Sequence, residues 1–184
     1  MEDFERAADI LLSGGTVIFP TDTVYGLGAV ANNDAAVEKL FEIKGRDIKK
    51  PINLLIADYE DLLKIAEIPS REEGKLMEKY WPGPLTIILK RKQNVANVAA
   101  ANGGTIGVRI PDSEIARNLI REVGFPIATT SVNLAGKEPA VKVEDIDEKI
   151  LDSVDFILDG GECKLKTPSK IVKIENGVVK ILRK

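Results

Sequence analysis

Three polar clusters in this chain carry side chains suited to binding and aligning a charged substrate. The first is Pro20–Gly28, PTDTVYGLG, which follows the apolar run Thr16–Phe19 and brings hydroxyls, a carboxylate and a phenol to a strand end. The second is Lys44-Gly45-Arg46 with Lys49-Lys50-Pro51, four cations within seven residues around a glycine that can bend the chain. Arginine offers a fork and lysine a point charge, a combination that neutralises a polyphosphate. The third is Thr129-Thr130-Ser131-Val132-Asn133, whose hydroxyls and amide can meet a phosphate or a ribose. Each cluster alone also has a plain reading, as a turn, a solvated basic loop and a helix cap respectively.

The rest of the composition narrows the chemistry. The 184 residues include no histidine and one cysteine, Cys163. Ser-His-Asp and Cys-His nucleophile systems, histidine-ligated zinc, multi-cysteine metal sites and intrachain disulfides are therefore excluded. Chemistry here must run on Lys, Arg, Asp, hydroxyls and backbone. With 26 Lys plus Arg against 29 Asp plus Glu, the net charge of -3 argues against a protein that coats nucleic acid through a general positive field. An anion site must be local. Neither Gly103-Gly104-Thr105-Ile106-Gly107 nor Asp159-Gly160-Gly161 has the spacing of a Walker A loop or a dinucleotide fingerprint, so a nucleotide needs another cradle.

Positioning these clusters requires a scaffold. Charged residues at 30% and apolar ones at 44% suit a folded domain, and the absence of a Ser/Gly/Pro-rich linker predicts one domain over residues 1–184. The acidic amino terminus and the lack of a long apolar run predict a cytoplasmic protein with no membrane association. Phe4, Ala7, Ala8, Leu11 and Leu12 share a helical face that Ser13-Gly14-Gly15 stops. The segment after Thr16–Phe19 reads as a strand-to-helix turn. Asn33 or Asp34 caps a helix with Val37, Leu40, Phe41 and Lys44 on one face, closed by Gly45.

Further on, Pro51–Ile56 is a predicted strand and Asp58–Ala66 an amphipathic segment. Ser70 and Glu73 form a capping box for a helix to Tyr80, ended by Pro82-Gly83-Pro84. Leu85–Leu89, Thr105–Ile110 and Pro126–Ala128 read as strands, with a helix marked by Ile115, Ala116, Leu119, Ile120 and Val123. An acidic helix over Val143–Leu151, a strand at Phe156–Leu158 and a hairpin about Asn176-Gly177 complete the chain. This alternation predicts an α/β domain with an open, twisted mixed sheet.

Taken in order, PTDTVYGLG, KGRDIKKP, WPGPLTIIL, GVRIP and SVN resemble the YrdC-like L-threonylcarbamoyladenylate synthases. The resemblance runs through Ser169 to Ile181-Leu182-Arg183 and includes the hallmark Lys-x-Arg followed far downstream by Ser-x-Asn. It implies a single-domain member with helices on an open sheet and a large concave, positively lined cavity. The implied reaction joins L-threonine, bicarbonate and ATP into threonylcarbamoyl-AMP and pyrophosphate, for N6-threonylcarbamoyladenosine beside the tRNA anticodon. The implied partners include Mg2+ carried with ATP, a tRNA threonylcarbamoyl transferase complex that accepts the product, and weak binding of tRNA or double-stranded RNA.

Carried over by position, Lys44 and Arg46 are the implied catalytic pair. With Lys50, Thr105, Ser131, Asn133 and Arg183 they form the implied ATP set. Thr23, Arg109, Thr129 and Ser169 are the implied threonine set, with Arg109 forking onto the threonine carboxylate; no residue is assigned to a metal. Asp22 and Tyr25 remain open between a site role and a turn or core role. Leu55 stands where many members have histidine, Lys50 replaces a common Asn or Asp, and Lys170 interrupts the usual Ser-Thr-Ile-Val. The competing readings are a noncatalytic RNA-binding module of the same fold and a relative acting on another carbamoyl donor; the multidomain hydrogenase-maturation enzymes are disfavoured by length and missing zinc-finger cysteines.

Overall fold

The computed structural model describes residues 2–134 and 136–184. In chain order the elements are α1 (Glu2–Leu12), β1 (Val17–Phe19), β2 (Gly26–Val30), α2 (Asp34–Lys44), β3 (Asn53–Leu55), α3 (Tyr59–Ile65), α4 (Arg71–Tyr80) and β4 (Leu85–Lys90). They continue with β5 (Thr105–Arg109), α5 (Glu114–Val123), β6 (Ile127–Ser131), α6 (Glu148–Leu151), β7 (Phe156–Ile157), β8 (Lys170–Glu175) and β9 (Val178–Arg183). The strands form one mixed sheet in the order β7-β1-β2-β6-β3-β5-β4-β8-β9. The expected α/β class with an open mixed sheet is what the chain adopts.

Local signals end the helices where the sequence predicts. Asn33 accepts from Ala36 N to cap α2, and the Ser70/Glu73 box starts α4. Gly45 takes a left-handed conformation (φ 61°) at the end of α2, where Arg46 N donates to Phe41 O at 2.9 Å. That turn leaves Lys44 in the last helical turn and Arg46 just beyond it. The closing hairpin turns through Asn176 (φ 52°) and Gly177 (φ 74°), the conformation an Asn-Gly turn favours.

Register determines what each sheet face carries. Ile18, Leu27, Ala29, Leu54, Ala128, Val108, Ile106, Ile87 and Leu89 fall on one face, where α2, α3 and α4 cover them in the larger core. On the opposite face Val17, Phe19, Leu55 and Ile127 are covered by Ala7, Ala8 and Leu11 of α1 and Ala116, Leu119 and Ile120 of α5. The remainder of that second face runs through Gly26, Ser131, Thr129, Asn53, Gly107, Arg109 and Thr86, all but Gly107 lining a cavity. Apolar residues pack beneath the helices, and polar ones occupy the part they leave uncovered.

Two segments differ from the sequence expectation. The stretch after Phe19 is no strand-to-helix turn: Gly26–Val30 forms a fully buried strand antiparallel to both β1 and β6. Its glycines mask the strand pattern because their value is spatial; a Cβ on Gly28 would sit 2.7 Å from Ile127 Cγ2 and 2.8 Å from Phe19 Cε1. The acidic segment is broken into a 3-10 turn (Val143–Asp145) and short α6, because Asp147 is extended and caps α6 through its side chain at Lys149 N. Among the described residues no helix is long and apolar enough to cross a membrane.

Gly28→Val should overpack the seam between β1 and β6 and destabilise by about 1–3 kcal/mol. Gly74→Ala, in α4 with open space around it, should stabilise by about 0.5–1 kcal/mol. Urea-unfolding midpoints of the two variants, moving in opposite directions, are the check.

Candidate active site

The carboxyl-terminal end of α2 meets the end of β6. Lys44 Nζ donates to Ser131 O (2.6 Å), Ser131 Oγ (3.0 Å) and Asn133 Oδ1 (2.8 Å). The two cationic and hydroxyl-bearing clusters, 87 residues apart in sequence, thus converge. All three ammonium hydrogens are engaged, so Lys44 contributes charge and order rather than free donors. Asn133 is anchored in turn, its Nδ2 donating to Lys137 O at 2.7 Å and Leu134 O at 3.1 Å.

Arg46 and Arg183 bring further charge to the cavity wall. Arg46 Nη2 donates to Pro51 O at 3.0 Å and Nε to Lys50 O at 3.3 Å, which leaves Nη1 available. Arg183 reaches from β9 to Ser169, with Nε on its carbonyl (2.8 Å) and Nη2 on its hydroxyl (3.1 Å). That hydroxyl also pairs with Thr86 Oγ1 at 2.8 Å. Burial, then the positive charges of Arg46 and Arg183, push the Lys44 ammonium down to about 8 from its ordinary 10.5. Burial likewise lowers the Arg46 and Arg183 guanidiniums. No carboxylate lines the cavity among the described residues. The arrangement is an anion receptor.

The opposite wall is built on Arg109, which is 4% exposed. Its Nε donates to Gly83 O (2.9 Å), its Nη1 to Thr23 Oγ1 (2.9 Å), and its Nη2 forms an ion pair with Asp22. The fork that the sequence reading reserves for a substrate carboxylate is therefore shared here among Gly83, Thr23 and Asp22. Arg109 orients Thr23, whose hydroxyl lies 2.9 Å from Thr21 Oγ1. Asp22, open between roles in the sequence, is the buried counter-ion of Arg109. Tyr25 is both core and wall: its hydroxyl lies 2.8 Å from Gly161 O and 3.0 Å from Asp159 Oδ1, tying the loop after β7 to the cavity.

Thr23, Arg46, Arg109, Thr129, Ser131, Ser169 and Arg183 line one cavity, with Lys44 and Asn133 behind Ser131. Lys50 and Thr105 are exposed and lie off its lining. Lys50 takes part through its carbonyl, and Thr105 starts β5 opposite Lys90. Asn53 and Thr86 also face the cavity and went unsuspected in the sequence; Thr21 faces it too, and the sequence offered it only as part of the Pro20–Gly28 cluster. Only for Asn53 was there a signal, since it lies two residues before Leu55 and strand alternation puts both on one face.

Residues 9–184 match the Sua5/YciO/YrdC family model, described as telomere recombination. The chain belongs to this family. It is 41% identical over 174 residues to a Methanocaldococcus jannaschii protein, covering 94% of this chain and 81% of the relative. The threonylcarbamoyl-AMP synthase of Idiomarina loihiensis is 35% identical over 181 residues, covering 97% of both chains. Among solved structures, Pyrococcus abyssi Sua5 complexed with L-threonine superposes with a TM-score of 0.93 at 36% identity, over 98% of this chain. The chain spans about half, 53%, of that longer Sua5 protein.

Because the unfolded chain holds the Lys44 proton between pH about 8 and 10.5 and the folded one releases it, the buried ammonium costs stability below about 8 and that cost is relieved as pH rises. The urea midpoint of the wild type should therefore rise as pH is raised from about 8 towards 10.5, and that rise should be absent in Lys44→Met. ATP binding, followed by calorimetry, should weaken as pH rises through about 8 in the wild type, and Lys44→Met should bind weakly with no such pH dependence.

Proposed function

We propose that this protein is an L-threonylcarbamoyladenylate synthase that converts L-threonine, bicarbonate and ATP to threonylcarbamoyl-AMP and pyrophosphate. The observation that carries the reading is the carboxylate-free cavity where Lys44, Arg46 and Arg183 gather beside Ser131 and a wall of hydroxyls. Family membership and the synthases at 35–38% identity support it. Amine nitrogen and bicarbonate form a carbamate, whose oxygen attacks the α-phosphorus and expels pyrophosphate. Alignment and fixed cations facing the developing charge lower such a barrier without a protein nucleophile.

In this reading Arg46 and Arg183 face the triphosphate, with Lys44 adding charge from behind Ser131. Thr23, Thr129 and Ser169 hold threonine, while Arg109 acts through Thr23. A cavity wall without carboxylates suits magnesium held by the ATP phosphates and water rather than by protein. Such an ion would screen the triphosphate charge. The product passes to a tRNA threonylcarbamoyl transferase complex. The RNA-binding module is less favoured, because these cations face a cavity rather than an exposed stripe and the net charge is -3.

Purified protein should release pyrophosphate from ATP only when L-threonine and bicarbonate are both present; release indifferent to either would overturn the assignment. Arg46→Ala and Lys44→Met should each lose about two to three orders of magnitude in kcat with unchanged circular dichroism. Tight, salt-sensitive tRNA binding without turnover would instead favour the RNA module.

A further inference from the structure

Asn53 begins β3 in the middle of the uncovered sheet face, opposite Thr129 on β6. A Cβ on neighbouring Gly107 would collide with its Oδ1, so the carboxamide lies over a gap that β5 leaves open. It lines the cavity, is half-buried, and makes no hydrogen bond among the described residues. The neighbouring hydroxyls already have partners of their own within the protein. Thr129 Oγ1 donates to Ile127 O at 3.1 Å, Ser169 Oγ takes Arg183 and pairs with Thr86, and Thr23 Oγ1 takes Arg109 and pairs with Thr21. Leu55, on the same face of the same strand, offers no polar atom.

The cavity thus abounds in donors, and among its described lining side chains Asn53 Oδ1 is the one carbonyl acceptor. An amino acid that must react through a neutral amine meets no carboxylate there to hold it as ammonium. An amine N–H still requires an acceptor when it leaves water. Resting on the synthase reading, we propose that Asn53 is the residue that binds the reacting amino group. Its Oδ1 accepts the amine N–H, and its Nδ2 donates to the carboxylate formed on that nitrogen. In that step the nitrogen forms a bond to the bicarbonate carbon, one amine proton and a bicarbonate oxygen with its proton leave as water, and the carbamate keeps the negative charge. The surrounding Arg46, Arg183 and Lys44 charges favour that anion.

The test is steady-state pyrophosphate release by the full chain, with L-threonine and ATP varied in turn. Asn53→Leu, close in shape and breaking no internal hydrogen bond, should raise the KM for threonine by at least about tenfold. The KM for ATP should stay within about twofold of wild type and circular dichroism should be unchanged. Asn53→Gln, which keeps both the acceptor oxygen and the donor amide, should bring the threonine KM back to within about threefold. A normal threonine KM in Asn53→Leu, a parallel rise in both KM values, or an Asn53→Gln variant no better than the leucine one overturns the proposal. Failure of the synthase reading is distinct: the wild type itself then gives no threonine-dependent release.

Discussion

The structure depends on a buried ammonium. Lys44 sits at the end of a helix, out of water, with two guanidiniums nearby, and is tolerable there only because three oxygens at the end of β6 surround it. Burying a charge is unfavourable unless it is hydrogen-bonded, and like charges add to the cost. The protein accepts that cost where it yields a concentrated positive potential. Gly45 makes the geometry possible: by ending α2 in the left-handed region it sends Arg46 back toward the cavity while Lys44 remains in the helix.

The cavity follows from incomplete coverage of one sheet face. Helices α1 and α5 cover its lower part, over Val17, Phe19, Leu55 and Ile127. Nothing comparable covers the rest, and the exposed positions there are small or polar. Gly26 keeps β2 close to its neighbour, since a Cβ would meet Thr129 Cγ2 at 2.6 Å. The far wall arrives from the other end of the chain, where Arg183 bends from β9 to Ser169.

A second buried charge frames the opposite side. The Arg109–Asp22 pair joins β5 to the loop between β1 and β2 and, through Gly83, to the turn before β4. Loss of one partner would leave the other charge stranded, so such pairs tie elements together even where their net stabilisation is small. The loop that looks like substrate-binding sequence is thereby also a structural clamp. Thr23, held between Arg109 and Thr21, is turned to the cavity by it, beside Thr21 and Tyr25.

Much of this was legible in the residues because the underlying rules are local. Helical periodicity, the Asn33 and Ser70 caps, Gly45, and the Asn176-Gly177 turn depend on neighbours a few positions away and located α1, α2, α4, α5 and the last hairpin. The ordered motifs identified the family and most of the cavity wall. Strand β2 escaped because glycines carry no pattern; their role appears only when Phe19 and Ile127 close on them. Sequence alone thus determined the elements, the class and the cast of charged residues. Tertiary structure decided that Arg109 pairs with Asp22, that Lys50 and Thr105 stand off the wall, and that Asn53 faces it, because strand register and ion pairing bring together groups that no local rule connects.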